Sequence, residues 1–175
     1  MRSLMGLTCA AVFAGFTAMA APSETFTSIE GGELSMADWA GQPVLVVNTA
    51  SQCAFTDQYA ELQTLYDTYR SQGLVVLAVP SDDFRQELDS AAEVKEFCEI
   101  TYGIDMPMAD ITPVTGANAH PFYARVRDET GFVPRWNFNK VLIGRDGAVI
   151  ETWGSRTSPV ARPVTDAVEK ALSGS

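Results

Sequence analysis

From Leu4 to Thr17 the chain is nearly all apolar, and a charged start at Arg2 precedes it. Ala18-Met19-Ala20 then sets small residues at the third and first positions before the bond to Ala21, a pattern that predicts a secretory signal peptide over residues 1–20. An uncleaved anchor is the rival, and it would need roughly 20 apolar residues to cross the hydrocarbon core. Cys9 lies in this stretch without the flanking pattern of a lipoprotein site. After it the pattern changes. Val44-Leu45-Val46-Val47-Asn48-Thr49 is an apolar run too short for a typical helix and predicts a buried strand. Phe55, Tyr59, Leu62, Leu65 or Tyr66, and Tyr69 then recur at spacings of three and four, the stripe of an amphipathic helix that Gly73 stops.

A second buried run covers Leu74 to Val79, and Val94, Phe97, Cys98 and Thr101 share one face of a helix that ends near Gly103. Pro121 opens a further short helix. Val141 to Ile143, Asp146-Gly147 and Val149 to Trp153 predict a hairpin, because Asp-Gly supplies the positive φ angles of a tight turn. Val164, Ala167, Val168, Ala171 and Leu172 mark a closing helix. The order strand, helix, strand, helix, helix, hairpin, helix calls for an α/β fold with a central mixed sheet and helices on both faces, and a thioredoxin-like fold has this order. With no repeat, low-complexity tract or long linker, residues 21–175 are expected to form one domain.

Charge narrows the partners. Among 175 residues, 22 are acidic and 12 basic, a net charge of −10, and no basic run exists. Nucleic acid and stable membrane association are therefore not expected. Signal cleavage would leave 155 residues and, with Arg2 gone, a net charge of −11. One histidine and three cysteines offer neither a His-rich metal site nor a disulfide scaffold, so no cofactor or metal is expected.

The chemistry falls on Cys53. The strand-to-helix reading puts it at or just before a helix N-terminus, where unpaired N–H groups and the helix dipole favour a thiolate. A cysteine beside an apolar strand can equally be a small buried hydrophobe. The chain has no Cys-x-x-Cys, which argues against an ordinary dithiol oxidoreductase.

Val47-Asn48-Thr49-Ala50-Ser51-Gln52-Cys53-Ala54-Phe55-Thr56 resembles the active-site segment of the glutathione peroxidase family, usually V-N-V-A-S-x-C-G-x-T. Three more blocks agree in order. Val79-Pro80-Ser81-Asp82-Asp83-Phe84 resembles F-P-C-N-Q-F; Glu96-Phe97-Cys98 through Tyr102-Gly103 and Met106-Pro107-Met108 resembles F-C-x-x-x-Y-G-x-x-F-P-M; Trp136-Asn137-Phe138-Asn139-Lys140 resembles W-N-F-x-K. The likeness runs from about Phe26 to Leu172 and implies a thioredoxin-like thiol peroxidase that reduces hydrogen peroxide or organic hydroperoxides. Cys53 matches the peroxidatic residue, and Trp136 and Asn137 match its hydrogen-bonding partners, where each by itself would read as packing or as a turn. Asp83 stands where the resemblance sets the glutamine of the catalytic group. An ionised carboxylate donates nothing, so Asp83 is held protonated, or points away, or caps a turn. Ala54 for glycine and a loop about one residue shorter after Phe84 are lesser departures.

Cys98 matches the resolving cysteine of two-cysteine members, and by periodicity alone it is also a core residue of a helix face. With Cys53 it would be the whole cysteine content of the cleaved chain. The resemblance then implies a Cys53–Cys98 disulfide formed after the helix around Cys98 melts locally, and regeneration by a thioredoxin-like dithiol protein in preference to glutathione. His120, in Asn118-Ala119-His120-Pro121, reads as a cap before it reads as a base. Tetrameric members of that family carry a longer insertion between the positions of Tyr123 and Trp136, so the resemblance implies a monomer or loose dimer here. The rivals are a peroxide-sensing thiol relay to a partner protein and a non-enzymatic binding or metal-delivery module. Localisation is expected to be periplasmic, and N-terminal sequencing of exported protein should begin at Ala21; intact Met1 protein in the membrane fraction would favour the anchor.

Overall fold

The structure, a computed structural model, describes residues 24–174, so the expected signal peptide over residues 1–20 lies outside the described residues. Two three-residue strands, β1 (Thr25–Thr27) and β2 (Glu33–Ser35), pair antiparallel with Phe26 opposite Leu34, and a single 3-10 turn over Met36–Trp39 follows. Neither strand is long enough to show a period in the sequence, and the pattern of apolar positions does not announce this hairpin. The main sheet is built from β3 (Val44–Thr49), β4 (Val75–Pro80), β5 (Lys140–Ile143) and β6 (Val149–Trp153) in the order β4-β3-β5-β6. β3 runs parallel to β4 and antiparallel to β5, the mixed sheet that the element order calls for.

β3 and the edge strand β4 are buried at every position, which is why they read as unbroken apolar runs. Alternate side chains feed two cores. Leu45, Val47, Val76, Ala78 and Leu142 pack with helices α1 (Gln58–Tyr69), α2 (Ala91–Tyr102) and α4 (Arg162–Ser173). Val44, Val46, Val75, Leu77, Val79, Val141 and Ile143 pack with α3 (Pro121–Thr130) and with Phe26 and Met36 of the β1–β2 region. Among the described residues no helix is long and apolar enough to cross a membrane.

The ends of the elements follow local chemistry. Gly73, at φ 102°, closes the 3-10 turn that follows α1, as the sequence predicts. The expected hairpin joins β5 and β6 through a tight turn in which Gly147 N–H donates to the Gly144 carbonyl at 2.9 Å and Gly144 N–H to the Ala148 carbonyl at 2.8 Å; of the Asp-Gly pair only Gly147 has positive φ. His120 caps α3, its Nδ1 accepting from Phe122 N–H while the ring stacks on Phe26 at 4.0 Å.

α2 begins with a cap legible as Ser90-Ala91-Ala92-Glu93. The Ser90 hydroxyl accepts from Glu93 N–H at 3.3 Å and donates to the Glu93 carboxylate at 2.9 Å. At its other end Gly103 turns left-handed, and Gly103 and Ile104 donate back to the carbonyls of Glu99 and Cys98. Removing the first cap should loosen the helix that carries Cys98. Ser90→Ala should lower the unfolding free energy by about 1 kcal/mol in a urea titration, and an unchanged midpoint would show that the cap contributes nothing.

Candidate active site

One edge of the sheet gathers the reactive residues, and topology dictates which. β3 and β4 are parallel and end together, with Thr49 opposite Pro80, while antiparallel β5 begins beside them with Lys140. The segment after β3 carries Cys53, the segment after β4 runs through residues 81–90, and the segment before β5 carries Trp136 and Asn137. The loop after β6 reaches the same edge, because Trp153 pairs with Lys140.

Cys53 stands five residues before Gln58, the first residue of α1, slightly further out than the sequence suggests. Residues 53–60 are wound in tight turns in which the carbonyls of Cys53, Phe55, Thr56 and Asp57 each accept from the N–H three residues on. Thr56 fastens the start, its hydroxyl accepting from Cys53 N–H at 3.0 Å and donating to carbonyls of the same turn. Cys53 is buried, 8% exposed as a whole residue, and its sulfur accepts from Phe55 N–H at 3.5 Å.

Asn48, fully buried at the end of β3, holds the 136–139 segment. Its Nδ2 donates to the Trp136 carbonyl at 2.9 Å, its Oδ1 accepts from Asn139 N–H at 3.0 Å, and its own carbonyl accepts from Phe138 N–H. Phe138 pays for this with φ of 60°, a conformation that costs a non-glycine residue roughly 1–2 kcal/mol. Its ring packs edge-on against Tyr59 at 5.4 Å. Trp136 is 40% exposed, its ring beside that of Phe84 at 5.6 Å, and its indole N–H has no partner among the described residues.

The side chain that meets Asn137 is Gln86. Asn137 Nδ2 donates to Gln86 Oε1 at 3.1 Å, the Gln86 carbonyl accepts from Gln52 N–H at 2.8 Å, and Asn137 Oδ1 is buried without a partner. Gln86 is thus bonded to the residue before Cys53 and to the amide after Trp136. Arg85, at φ 56°, is the other non-glycine residue with positive φ among the described residues, so both left-handed side-chain-bearing residues adjoin a member of this amide pair.

Asp83 does not join them, which corrects the expectation from the motif. Its Oδ2 accepts from Val114 N–H and Thr115 N–H, each at 2.7 Å, and from the Thr115 hydroxyl at 3.0 Å. It also faces buried Tyr123 of α3, whose hydroxyl burial pushes up and Asp83 pushes further. A carboxylate with three donors has no reason to turn toward a thiolate. The sequence did hold the signal for Gln86: it is the sole carboxamide between Pro80 and Ser90, and a donor set needs a group that can donate.

Cys98 is fully buried in α2, and both it and Cys53 are free thiols. Burial pushes the Cys98 thiol up to about 12; contact with the Tyr59 hydroxyl acts in the opposite sense, and Glu87 and Glu99 add to the rise. Glu87 lies beneath the Cys53 segment, its Oε1 accepting from Ser51 N–H and Leu88 N–H at 2.9 Å each. Burial holds its carboxyl above the ordinary range, against the lowering effect of the bonds from Ser51 and Leu88. Beside Trp136 opens a cleft of about 650 Å³ lined by Phe55, Phe132, Val133, Arg135 and Arg156 and by no carboxylate. Among the described residues no group of three His, Cys, Asp or Glu side chains is placed to hold a metal ion.

Comparison with known proteins gives the family and the fold. A family model described as glutathione peroxidase matches residues 22–127. A glutathione peroxidase of Lactococcus lactis subsp. cremoris is 42% identical over 137 residues, covering 75% of this chain and 87% of the relative. A hydroperoxy fatty acid reductase of Synechocystis sp. is 36% identical over 143 residues, covering 75% and 85%. Among solved structures, that of Trgpx in apo form superposes with a TM-score of 0.69 at 30% identity, covering 87% of this chain and 97% of the other. A thioredoxin-family thiol:disulfide interchange protein from Chlorobium tepidum superposes with a TM-score of 0.64 at 20% identity, covering 91% and 99%, a likeness of fold.

Glu87 makes the site pH-sensitive in a stated direction. A carboxyl raised by folding binds its proton more tightly in the native state than in the unfolded chain. Its contribution to stability is complete below the unfolded value near 4.5 and is lost as pH rises through the raised folded value. Glu87→Gln keeps an acceptor for Ser51 N–H and cannot ionise. Urea midpoints should therefore fall in the wild type relative to this variant as pH rises above about 4.5, whereas a pH-independent difference would mean that Glu87 ionises as freely as in water.

Proposed function

The chain belongs to the glutathione peroxidase family and is a thiol-dependent peroxidase, and from that premise we propose that Cys53 is its nucleophile, that Gln86, Trp136 and Asn137 are its donors, and that Cys98 resolves the product. The observation that carries the assignment is the bonded pair Gln86–Asn137, tied through Gln52 to the Cys53 segment. Cys53 thiolate attacks one oxygen of the hydroperoxide, an S–O bond forms as the O–O bond breaks, the sulfur becomes a sulfenic acid, and the departing alkoxide or hydroxide takes a proton to become alcohol or water. Charge first sits on sulfur and then on the leaving oxygen, so fixed N–H donors are what the site needs. The Trp136 indole N–H is one such donor. Amide oxygen and nitrogen occupy equivalent positions, so turning Gln86 and Asn137 together keeps their mutual bond and gives Asn137 a free N–H where its orphan oxygen stands.

The Cys98 thiol then attacks the Cys53 sulfenic acid, forming the disulfide and releasing water. Because Cys98 is fully enclosed by α2 and its neighbours, this step requires α2 to open locally. A dithiol protein of the thioredoxin kind suits the reduction of an internal disulfide, since its two thiols take up both oxidising equivalents by exchange. The signal pattern over residues 1–20 supports a site of action outside the cytosol.

Counting thiols tests the assignment. One equivalent of peroxide should consume both cysteines of the cleaved wild type and leave a product lighter by two hydrogens. Cys53→Ser should stay folded and lose peroxide reduction, since a hydroxyl is hardly ionised near neutral pH. Cys98→Ser should react once and then stall with thioredoxin, its sulfenic acid persisting or over-oxidising. Full turnover by Cys98→Ser with either reductant would demote Cys98 to core packing, and a Cys53→Ser protein that still reduces peroxide would remove the nucleophile.

A further inference from the structure

Lys140 is a charged residue with no exposed surface, placed directly below the segments that form the site. Its Nζ donates to three oxygens, each on a different segment: Gln58 Oε1 at the start of α1, the Phe138 carbonyl next to Asn137 at 2.7 Å, and the Thr157 carbonyl of the loop after β6 at 2.6 Å. Among the described residues these oxygens have no other donor. Gln58 closes the arrangement by donating its own Nε2 to the Ser155 carbonyl at 2.7 Å. All three acceptors of Lys140 are neutral. Glu61, one turn further along α1, acts on it only through space, while its own carboxylate accepts from the Ser158 hydroxyl at 2.7 Å.

A buried ammonium without a bonded counter-ion is costly, and an apolar side chain of the same length would fill the space without that cost. What no apolar side chain provides is three donors that converge from one point. Burial draws Lys140 down to about 7 and Glu61 acts in the opposite sense; in the ammonium form each of the three Nζ protons has an oxygen to receive it. We infer that Lys140 is a positioning residue of the peroxidase site: it sets the 53–58 segment that bears the nucleophile against the 136–139 segment that bears its donors. This rests on the assignment of Cys53 and Asn137 proposed above. Displacements of about 1 Å in such an arrangement can cost about 100-fold in rate, and reaction with peroxide needs the donor segment in place, whereas simple alkylation of the thiol does not.

The test compares two reactions of the same thiol: the rate constant for oxidation of reduced full-length protein by hydrogen peroxide, and that for alkylation of Cys53 by iodoacetamide. Lys140→Met keeps length and burial but removes all three donors. It should slow oxidation by about 30- to 100-fold while alkylation stays within about threefold of wild type. Gln58→Leu, which leaves Lys140 in place and cuts one of its bonds, should slow oxidation by about three- to tenfold, with alkylation again unchanged, and it decides the matter where Lys140→Met fails to fold. Oxidation at the wild-type rate in either folded variant overturns the proposal. Equal loss of both reactions, or loss of the native near-ultraviolet dichroism in both variants, makes Lys140 a structural residue and overturns it as well. A Cys53→Ser protein that still reduces peroxide would instead overturn the assignment on which the proposal rests.

Discussion

The side chain of Asn48 is the contact on which the rest of the site depends. It is the last residue but one of β3, the strand that leads to Cys53, and grips both ends of the segment that carries Trp136, Asn137 and Phe138. A buried carboxamide has both a donor and an acceptor to satisfy, and here the Trp136 carbonyl and Asn139 N–H satisfy them. The grip forces Phe138 into left-handed backbone, and the Phe138 ring is then locked against Tyr59 in the core. Strain in one residue is thus held by packing, and the fixed donor segment is what that strain maintains.

The two cysteines show how one residue type acquires two reactivities from its surroundings. Cys53 begins a winding chain of turns at the sheet edge, where a backbone N–H already approaches its sulfur. Cys98 sits inside α2 against a tyrosine hydroxyl and near a carboxyl, an environment that keeps it a thiol. Its protection and its chemistry are therefore alternatives, separated by the opening of one capped, twelve-residue helix. In the proposed cycle the disulfide forms only when the oxidised state lasts long enough for that opening.

Most of the fold was legible because the strands are buried on both faces and the helices carry one apolar stripe, so period and length identify them. The β1–β2 hairpin escaped because three residues define no period, and its one deep anchor, Phe26, is a lone aromatic in the sequence. Cys53, Trp136 and Asn137 were legible from their ordered motifs. Gln86, though the sole carboxamide of its loop, was passed over, because aligning the loop from Phe84 backward placed Asp83 in the amide's position, and nothing in that alignment anticipates the turn at Arg85. Left-handed Arg85 immediately precedes Gln86 in the shortened loop, and the Gln86 amide meets Asn137. Lys140 was readable as part of a motif, but two of its three bonds, to Gln58 and Thr157, are tertiary and no spacing encodes them.

The central claim is that the thiol of Cys53 is served by the amide pair and not by the carboxylate of the same loop. The direct measurement is the second-order rate constant for hydrogen peroxide with reduced Gln86→Ala and Asp83→Asn proteins, each compared with wild type by stopped flow. Loss of a fixed donor to developing charge costs about 100-fold in comparable sites, and the account predicts a loss of that order for Gln86→Ala and a rate near wild type for Asp83→Asn. A wild-type rate in Gln86→Ala, with the loss in Asp83→Asn, would contradict it.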